Sequence, residues 1–186
     1  MSDSGTVRIL GIAGSLRRGS FNAATLRAAQ ELAPAGMTIE RFDIAPIPHY
    51  NEDVRQQDFP ASVEGLRARI KAADGLLIVT PEYNYSIPGV LKNAIDWASR
   101  PPEQPLDGKP IGLMGASVGT LGSGRAQYHL RQCFVFLNGL VMNRPEVMIP
   151  AAQSKFDADG KLTDQPTRDF ISAHLTAFKA WVLRMK

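Results

Sequence analysis

Residues 14–22 read Gly-Ser-Leu-Arg-Arg-Gly-Ser-Phe-Asn and lie between an apolar run and a helical pattern. At such a junction, free backbone amides and the positive end of the helix dipole attract an anion. Ser15, Ser20 and Asn22 add short hydrogen-bonding side chains, and Arg17 adds a charged fork that suits phosphate oxygens. We interpret the segment as a phosphate-binding loop. The alternative is a polar turn in which a serine or asparagine only caps the helix.

Two common nucleotide-binding patterns do not fit this loop. Gly14 and Gly19 have the glycine spacing of the P-loop, G-x-x-x-x-G-K-[ST], but Ser20 stands where that pattern requires lysine. The dinucleotide pattern G-x-G-x-x-G is not supplied by residues 11–14, Gly-Ile-Ala-Gly. A monophosphate is the ligand class that remains.

A second loop, residues 80–89, carries the sequence TPEYNYSIPG after another apolar run. Its two prolines fix the backbone φ angle and stiffen the segment. Tyr83 and Tyr85 offer aromatic walls with hydroxyl groups, and the amides around residues 82–84 can meet the edge of a heteroaromatic ring. Taken alone, the loop is equally typical of a turn whose tyrosines pack on helices. Beside a phosphate loop, it favours a planar cofactor that bears a phosphate.

A third loop, residues 115–124, is rich in glycine and other small residues. Small residues let a ligand approach the backbone closely, and Ser117 can donate a hydrogen bond to it. The alternative is a flexible crossover connection.

These loops follow apolar strands in a chain where strands and helices alternate. The predicted strands are residues 7–13, 37–42, 75–80, 111–116 and 141–148, the last interrupted or bulged near Pro145. The predicted helices are residues 22–32, 62–73, 88–97, 126–137 and 167–184, with Pro88 in a first helical turn and a loop over residues 43–60. This alternation predicts an α/β fold, a doubly wound five-stranded parallel sheet in the flavodoxin-like order 2-1-3-4-5 with helices on both faces. Ligands of such sheets bind at the carboxyl ends of the strands, and we place residues 100–110 near that site.

The bulk composition fits one folded domain over residues 1–186. The chain is 44% hydrophobic and 21% charged, with a formal net charge of +3. Its basic residues are scattered and form no stripe, so we expect no nucleic-acid partner. No run approaches the roughly 20 apolar residues that span a bilayer, and residues 1–6 lack the pattern of a signal peptide. We therefore expect no membrane partner and a cytoplasmic location.

Other catalytic chemistries find little support. The single cysteine, Cys133, excludes an internal disulfide and lies in an apolar stretch, which favours a packed core thiol. His49, His129 and His174 have no clear partners for a catalytic triad, and no cluster has metal-ligand spacing. Asp96 lies within a predicted helix, where pairing or capping is its expected role.

Four segments resemble the NAD(P)H-dependent FMN reductase family, a flavodoxin-like group with bacterial quinone, chromate and azo reductases. They are GSLRRGSFN at residues 14–22, PEYNYSIPGVLKNAIDW at 81–97, SRPPEQPLDGKP at 99–110 and QYHLRQ at 127–132. The last is similar to the chromate/quinone reductase branch. The resemblance covers nearly the whole chain.

The resemblance implies bound FMN, with NADPH or NADH as electron donor. Two electrons would pass by hydride transfer through FMN to quinones, free flavin, chromate or azo compounds, and no side chain acts as nucleophile or obligatory base. The implied cofactor-binding residues are Ser15, Leu16, Arg17, Arg18, Gly19, Ser20, Phe21, Asn22, Pro81, Glu82, Tyr83, Asn84, Tyr85 and Ser117.

The resemblance also implies a homodimer or homotetramer with small-molecule electron acceptors. Trp97 and the helix that carries Arg125 are candidate contact surfaces, and Arg125, Tyr128 and Glu146 are candidate interface residues. These three residues could form a hydrogen-bonded set between subunits. The alternative is that this face of the helix is simply exposed to solvent.

Two alternatives to a reductase stay open. A flavodoxin-type electron carrier would bind FMN and pass electrons on without oxidising NAD(P)H. An FMN-binding regulatory or interaction module would hold FMN and also oxidise no NAD(P)H. Electron carriers tend to be acidic because they dock on basic partners, whereas this chain is basic. The charge therefore favours an anionic nucleotide substrate.

Overall fold

A computed structural model describes residues 6–186 and shows one parallel sheet. Its strands are β1 Val7–Ala13, β2 Met37–Phe42, β3 Gly75–Val79, β4 Pro110–Ala116, β5 Leu140–Val141 and β6 Val147–Ile149. The order is β2-β1-β3-β4-β5, with β6 also paired to β4, and all pairings are parallel. The predicted sheet order is confirmed. Residues 1–5, which carry much of the signal-peptide argument, lie outside the described residues.

The predicted fifth strand is two short strands along β4. Leu140 pairs with Pro110 at the beginning of β4, and Val147 pairs with Met114 near its end. Pro145 lies between the two, and a proline has no amide hydrogen to donate to a sheet. The interruption expected near Pro145 therefore divides the strand completely.

Residues 6–186 contain six α-helices. They are α1 Phe21–Glu31, α2 Glu52–Gln57, α3 Ala61–Ala72, α4 Gly89–Ala98, α5 Gly124–Phe136 and α6 Gln165–Met185. The short α2 lies in the segment predicted as loop, where the Asn51 side chain accepts a hydrogen bond from the Asp53 amide and caps it. Pro88 is the residue before α4 and has an extended backbone, so its predicted place inside the helix is wrong. Across residues 6–186, no helix is both long and apolar enough to cross a membrane.

The core has two halves, one on each face of the sheet. Alternate residues of β3 show the division, because Leu77 and Val79 belong to one half and Leu76 and Ile78 to the other. Helices α1 and α6 cover the first half, and α3, α4 and α5 cover the second. Burial on both faces explains why β3 is a continuous apolar run instead of an alternating one.

The apolar stretch of α5 is only partly core. Phe134 is fully buried, but Val135 and Phe136 are 80% and 89% exposed. Cys133 is half-buried, so its predicted place in the packed core is wrong. The helical period accounts for this, since successive residues point about 100° apart and only one side faces the sheet. Partial burial still raises the pKa of the Cys133 thiol.

The predicted position of residues 100–110 is also wrong. This segment precedes β4 and therefore lies at the amino-terminal edge of the sheet. The Lys109 ammonium donates to the Ala73 carbonyl just before β3 (2.7 Å), and the Gly108 amide donates to Asn138 just before β5 (2.9 Å). Loops that follow β1, β3 and β4 leave the opposite edge.

Candidate functional site

The loop between β1 and α1 ends in a capped helix. The Ser20 hydroxyl oxygen accepts a hydrogen bond from the Ala23 amide (3.2 Å), and the Ser20 amide donates to the Arg17 carbonyl (3.1 Å). Ser20 is buried, so its hydroxyl is fixed at the beginning of α1. Ser20 therefore caps the amino terminus of α1, and its hydroxyl hydrogen is still available to donate to an anion.

Several backbone amides of this loop have no acceptor. Among residues 6–186, none accepts a hydrogen bond from the amides of Leu16, Arg18, Gly19, Phe21 or Asn22. They lie at the positive end of an eleven-residue helix, and the exposed Arg17 side chain adds a full charge. Unpaired amides at such a position are the donor set that a phosphate group requires, so the loop fits the phosphate of FMN.

The Asn22 side chain connects two parts of the site. Its Nδ2 group donates to the Ala116 carbonyl and its Oδ1 atom accepts from the Ala116 amide, each at 2.9 Å. The side chain is buried and ties the loop to the end of β4. The backbone amide of Asn22 has no acceptor among the described residues and can donate to an anion.

The loop after β3 contains a tight turn. The amides and carbonyls of Tyr83 and Ser86 bond reciprocally at 3.1 and 2.9 Å. Asn84 and Tyr85 occupy the centre with φ angles of 48° and 65°, which is the left-handed geometry of a type I′ turn. Among the described residues, none accepts from the amides of Glu82, Asn84 or Tyr85. These amides fit the acceptor atoms along the edge of a flavin ring.

The two loops approach each other at their aromatic and hydroxyl groups. The Tyr83 hydroxyl lies 3.5 Å from the Ser15 hydroxyl. Tyr83 is 50% exposed and Tyr85 is 67% exposed, so both rings border solvent. A planar group placed between the loops would contact Tyr83 and still face solvent.

The Glu82 side chain is bound to α5. Its carboxylate accepts hydrogen bonds from the Arg125 amide (3.1 Å) and the Arg125 guanidinium, and it is only 7% exposed. That hydrogen bond raises the pKa of Arg125. Arg125 is thus engaged within its own chain. Tyr128, on the same helix, is 54% exposed, and Glu146 borders a separate hollow of about 420 Å³ beside α6.

The loop after β4 is held by backbone contacts. The Ser117 amide donates to the Ile149 carbonyl, and the Ser117 hydroxyl oxygen accepts from the Gly119 amide, both at 3.0 Å. At Gly115 a Cβ atom would lie 1.8 Å from the Ser123 hydroxyl and 2.4 Å from the Thr80 carbonyl. Glycine is therefore required at position 115 by close packing against Ser123 and Thr80, and not by the approach of a ligand.

All three loops line one cleft of about 160 Å³. Its lining residues are Ser15, Arg17, Ser20, Phe21, Asn22, Pro81, Glu82, Tyr83, Ala116, Ser117 and Val118. Five of the residues predicted to bind the cofactor belong to the same loops but do not line this cleft: Leu16, Arg18, Gly19, Asn84 and Tyr85. Ala116 and Val118 were not predicted, since they carry no polar group. Their position at the end of β4 beside Ser117 is the signal that locates them.

Two histidines have partners that the sequence did not reveal. His129 Nδ1 lies 3.0 Å from the Ser86 hydroxyl at the rim of the cleft. His174 is buried behind β4, with Nδ1 2.7 Å from the Pro145 carbonyl, and burial lowers the pKa of His174 to about 4. Asp96 pairs with Lys92 at 2.6 Å along α4, as expected.

Comparison with known proteins identifies close relatives of known activity. A family model described as NADPH-dependent FMN reductase matches residues 7–154. The chain is 57% identical over its whole length to an NAD(P)H-dependent FMN reductase of Pseudomonas aeruginosa, which it also covers completely. It is 50% identical to a quinone reductase of Escherichia coli, with 97% of each chain covered.

A solved structure shows the same fold. The flavoenzyme NAD(P)H:(acceptor) oxidoreductase FerB of Paracoccus denitrificans matches with a TM-score of 0.88 and 37% identity. The match covers 96% of this chain and 98% of that one. The likeness therefore extends over nearly the whole of both chains.

Proposed function

The chain belongs to the NADPH-dependent FMN reductase family, whose cofactor is FMN and whose electron donor is NAD(P)H, and we propose that it reduces quinones at the cleft formed by the loops after β1, β3 and β4. The row of unpaired amides at the beginning of α1 carries this proposal. It is a ready anion site next to a second set of free amides and an exposed aromatic wall. This arrangement suits a phosphate linked to a planar ring.

In this proposal the β1–α1 loop binds the phosphate. The unpaired amides of Phe21 and Asn22, which line the cleft, donate to its oxygens, and the Ser20 hydroxyl donates its free hydrogen. Arg17 balances the charge from the solvent side. The Asn22 side chain contributes indirectly, because its bonds to Ala116 keep the amides pointed at one place.

The turn after β3 holds the ring. The unpaired amide of Glu82 donates to an oxygen or nitrogen atom of the ring and favours negative charge there, as fixed donors do for any developing anion. Tyr83 covers one side and leaves the other open to solvent. When bound, FMN supplies the redox chemistry, taking a hydride from the nicotinamide and passing two electrons to the acceptor.

The names of relatives indicate the acceptor class. Relatives at 50% and 44% identity are named quinone reductase and 2-hydroxy-1,4-benzoquinone reductase, so we infer a small quinone as the main acceptor. The exposed cleft also admits free flavin, chromate and azo compounds. We further infer a homodimer or homotetramer.

A reconstitution experiment tests the proposal. The purified protein is loaded with FMN, passed over a desalting column and titrated anaerobically with NADPH and then NADH. We expect the visible absorbance of bound FMN to bleach and to return on addition of benzoquinone. Bound FMN that neither nucleotide bleaches would overturn the reductase and leave an electron carrier or binding module.

A further inference from the structure

Helix α5 contacts the turn after β3 through two of its side chains. Arg125 binds the Glu82 carboxylate, and His129, one helical turn later, lies 3.0 Å from the Ser86 hydroxyl. The Arg125 guanidinium carbon also lies 3.4 Å from the centre of the Tyr85 ring. The loop is thus attached to α5 just before the turn, through Glu82, and within the turn, through Tyr85 and Ser86.

The turn has an unusual residue at its second central position. Type I′ turns place both central residues at positive φ, and their preferred sequence is Asn-Gly. Asn84 suits the first position, but Tyr85 stands at the second with a φ of 65°. A left-handed backbone is disfavoured for a side chain of this size, so something outside the turn must stabilise it. The stacked Arg125 guanidinium is the group in contact with the Tyr85 ring.

We propose that Arg125 is a positioning residue for the ring-binding turn. Joined to Glu82 and stacked on Tyr85, it holds the turn in the left-handed form that leaves the unpaired amide of Glu82 at the cleft. The inference rests on the FMN site proposed above. Arg125 acts through the loop and not by attracting the ligand directly, because the adjacent Glu82 carboxylate largely balances the positive charge of its guanidinium.

A double-mutant cycle separates this role from a direct charge effect. In Tyr85→Gly the turn becomes Asn-Gly, which adopts the geometry without support. We expect Arg125→Gln to raise the FMN dissociation constant about tenfold in the natural background. In the Tyr85→Gly background the same change is expected to have an effect below about twofold. Equal weakening in both backgrounds, or none in either, would overturn the proposal.

Two further variants complete the cycle. Arg41→Gln removes an equal charge from exposed β2 and is expected to leave FMN affinity unchanged. Arg125→Lys keeps a charge for Glu82 but loses the planar stack, so we expect an intermediate effect. This variant also serves if Arg125→Gln does not fold. Full FMN affinity in Arg125→Lys would contradict a role for the stack.

Proteolysis reports on the turn without the cofactor. Chymotrypsin cuts after tyrosine, and we expect the FMN-free Arg125→Gln protein to be cut after Tyr83 or Tyr85 faster than the natural protein, by a larger factor than its fall in urea midpoint accounts for. An unchanged cutting rate would overturn the proposal. Faster cutting in a protein that binds no FMN would support the role of Arg125 and refute the proposed cofactor site instead.

Discussion

Asn22 and Ala116 are joined by two reciprocal hydrogen bonds of 2.9 Å, although 94 residues separate them in the chain. The pair connects the beginning of α1 to the carboxyl end of β4. Two loops that border the cleft are therefore fixed to each other by one buried amide group. This contact explains how short polar segments from distant parts of the sequence keep a common geometry without a ligand.

Replacement of this amide tests the connection. Asn22→Ala leaves the Ala116 amide and carbonyl buried without partners, and we expect the free energy of unfolding to fall by about 2–4 kcal/mol. Urea unfolding of the FMN-free protein measures it. Asn143→Ala, at an exposed position, is the matched control and is expected to stay within about 0.5 kcal/mol. Equal stability of the two variants would contradict the assigned role.

The phosphate site is tested by comparing two ligands. Arg17→Gln is expected to weaken FMN binding about tenfold, because a charge-assisted contact is lost. Riboflavin, which lacks the phosphate, is expected to bind equally well to the variant and the natural protein. Fluorescence titration gives both constants. If both ligands weaken together, Arg17 contacts the ring or shapes the loop instead of binding the phosphate.

A pair of glycine substitutions tests the packing at the end of β4. Gly115→Ala adds a methyl group against Thr80 and Ser123 and is expected to destabilise the fold by at least about 2 kcal/mol. Gly65→Ala adds the same group within α3, where nothing lies within 4 Å, and is expected to stabilise it by about 0.5–1 kcal/mol. Thermal unfolding of both variants provides the measurement. The same sign for the two changes would show that the packing at Gly115 is looser than described.

The buried histidine predicts a pH dependence of stability. The pKa of His174 is lowered from 6.5 to about 4 by burial, so the unfolded chain binds a proton that the folded chain does not. Stability from this group is complete above about pH 7 and is lost as the pH falls toward 4. Between about pH 7.5 and 5 the loss is about 2 kcal/mol.

Urea midpoints of the natural protein and His174→Gln across this pH range measure that loss. The variant is expected to lose about 2 kcal/mol less between the two pH values, since it has no proton to gain at this position. Exposed His49→Gln is the control and is expected to follow the natural protein. Parallel curves for all three proteins would show that His174 is not the responsible group.

Much of the sheet and the location of the site follow from the sequence. The continuous apolar run of β3 indicates burial on both faces, and that burial fixes a central strand between layers of helix. Once β1 and β3 are parallel neighbours, the loops that follow them must meet at one edge. Ser15 and Tyr83 come together for this reason.

The direction of individual side chains could not be predicted in the same way. Asn22 and Glu82 have the residue types expected of ligand contacts, yet one binds the backbone of β4 and the other binds α5. Their partners lie 94 and 43 residues away, beyond the reach of any local pattern. The position of residues 100–110 is a different case. Strand polarity alone places a segment that enters β4 at the edge opposite the cleft.

That opposite edge makes the molecule suitable for oriented attachment to a surface. Every loop that borders the cleft leaves the sheet at the carboxyl ends of its strands. Residues 100–109, by contrast, lead into β4 at the opposite edge of the sheet. The Arg67 guanidinium holds the beginning of this segment there by donating to the Ala98 and Arg100 carbonyls. A chemical tether placed on this segment would direct the cleft of every immobilised molecule away from an electrode or bead. Nucleotide and quinone would then reach the protein from the solution side, and electrons delivered from the support would have to cross the full depth of the sheet.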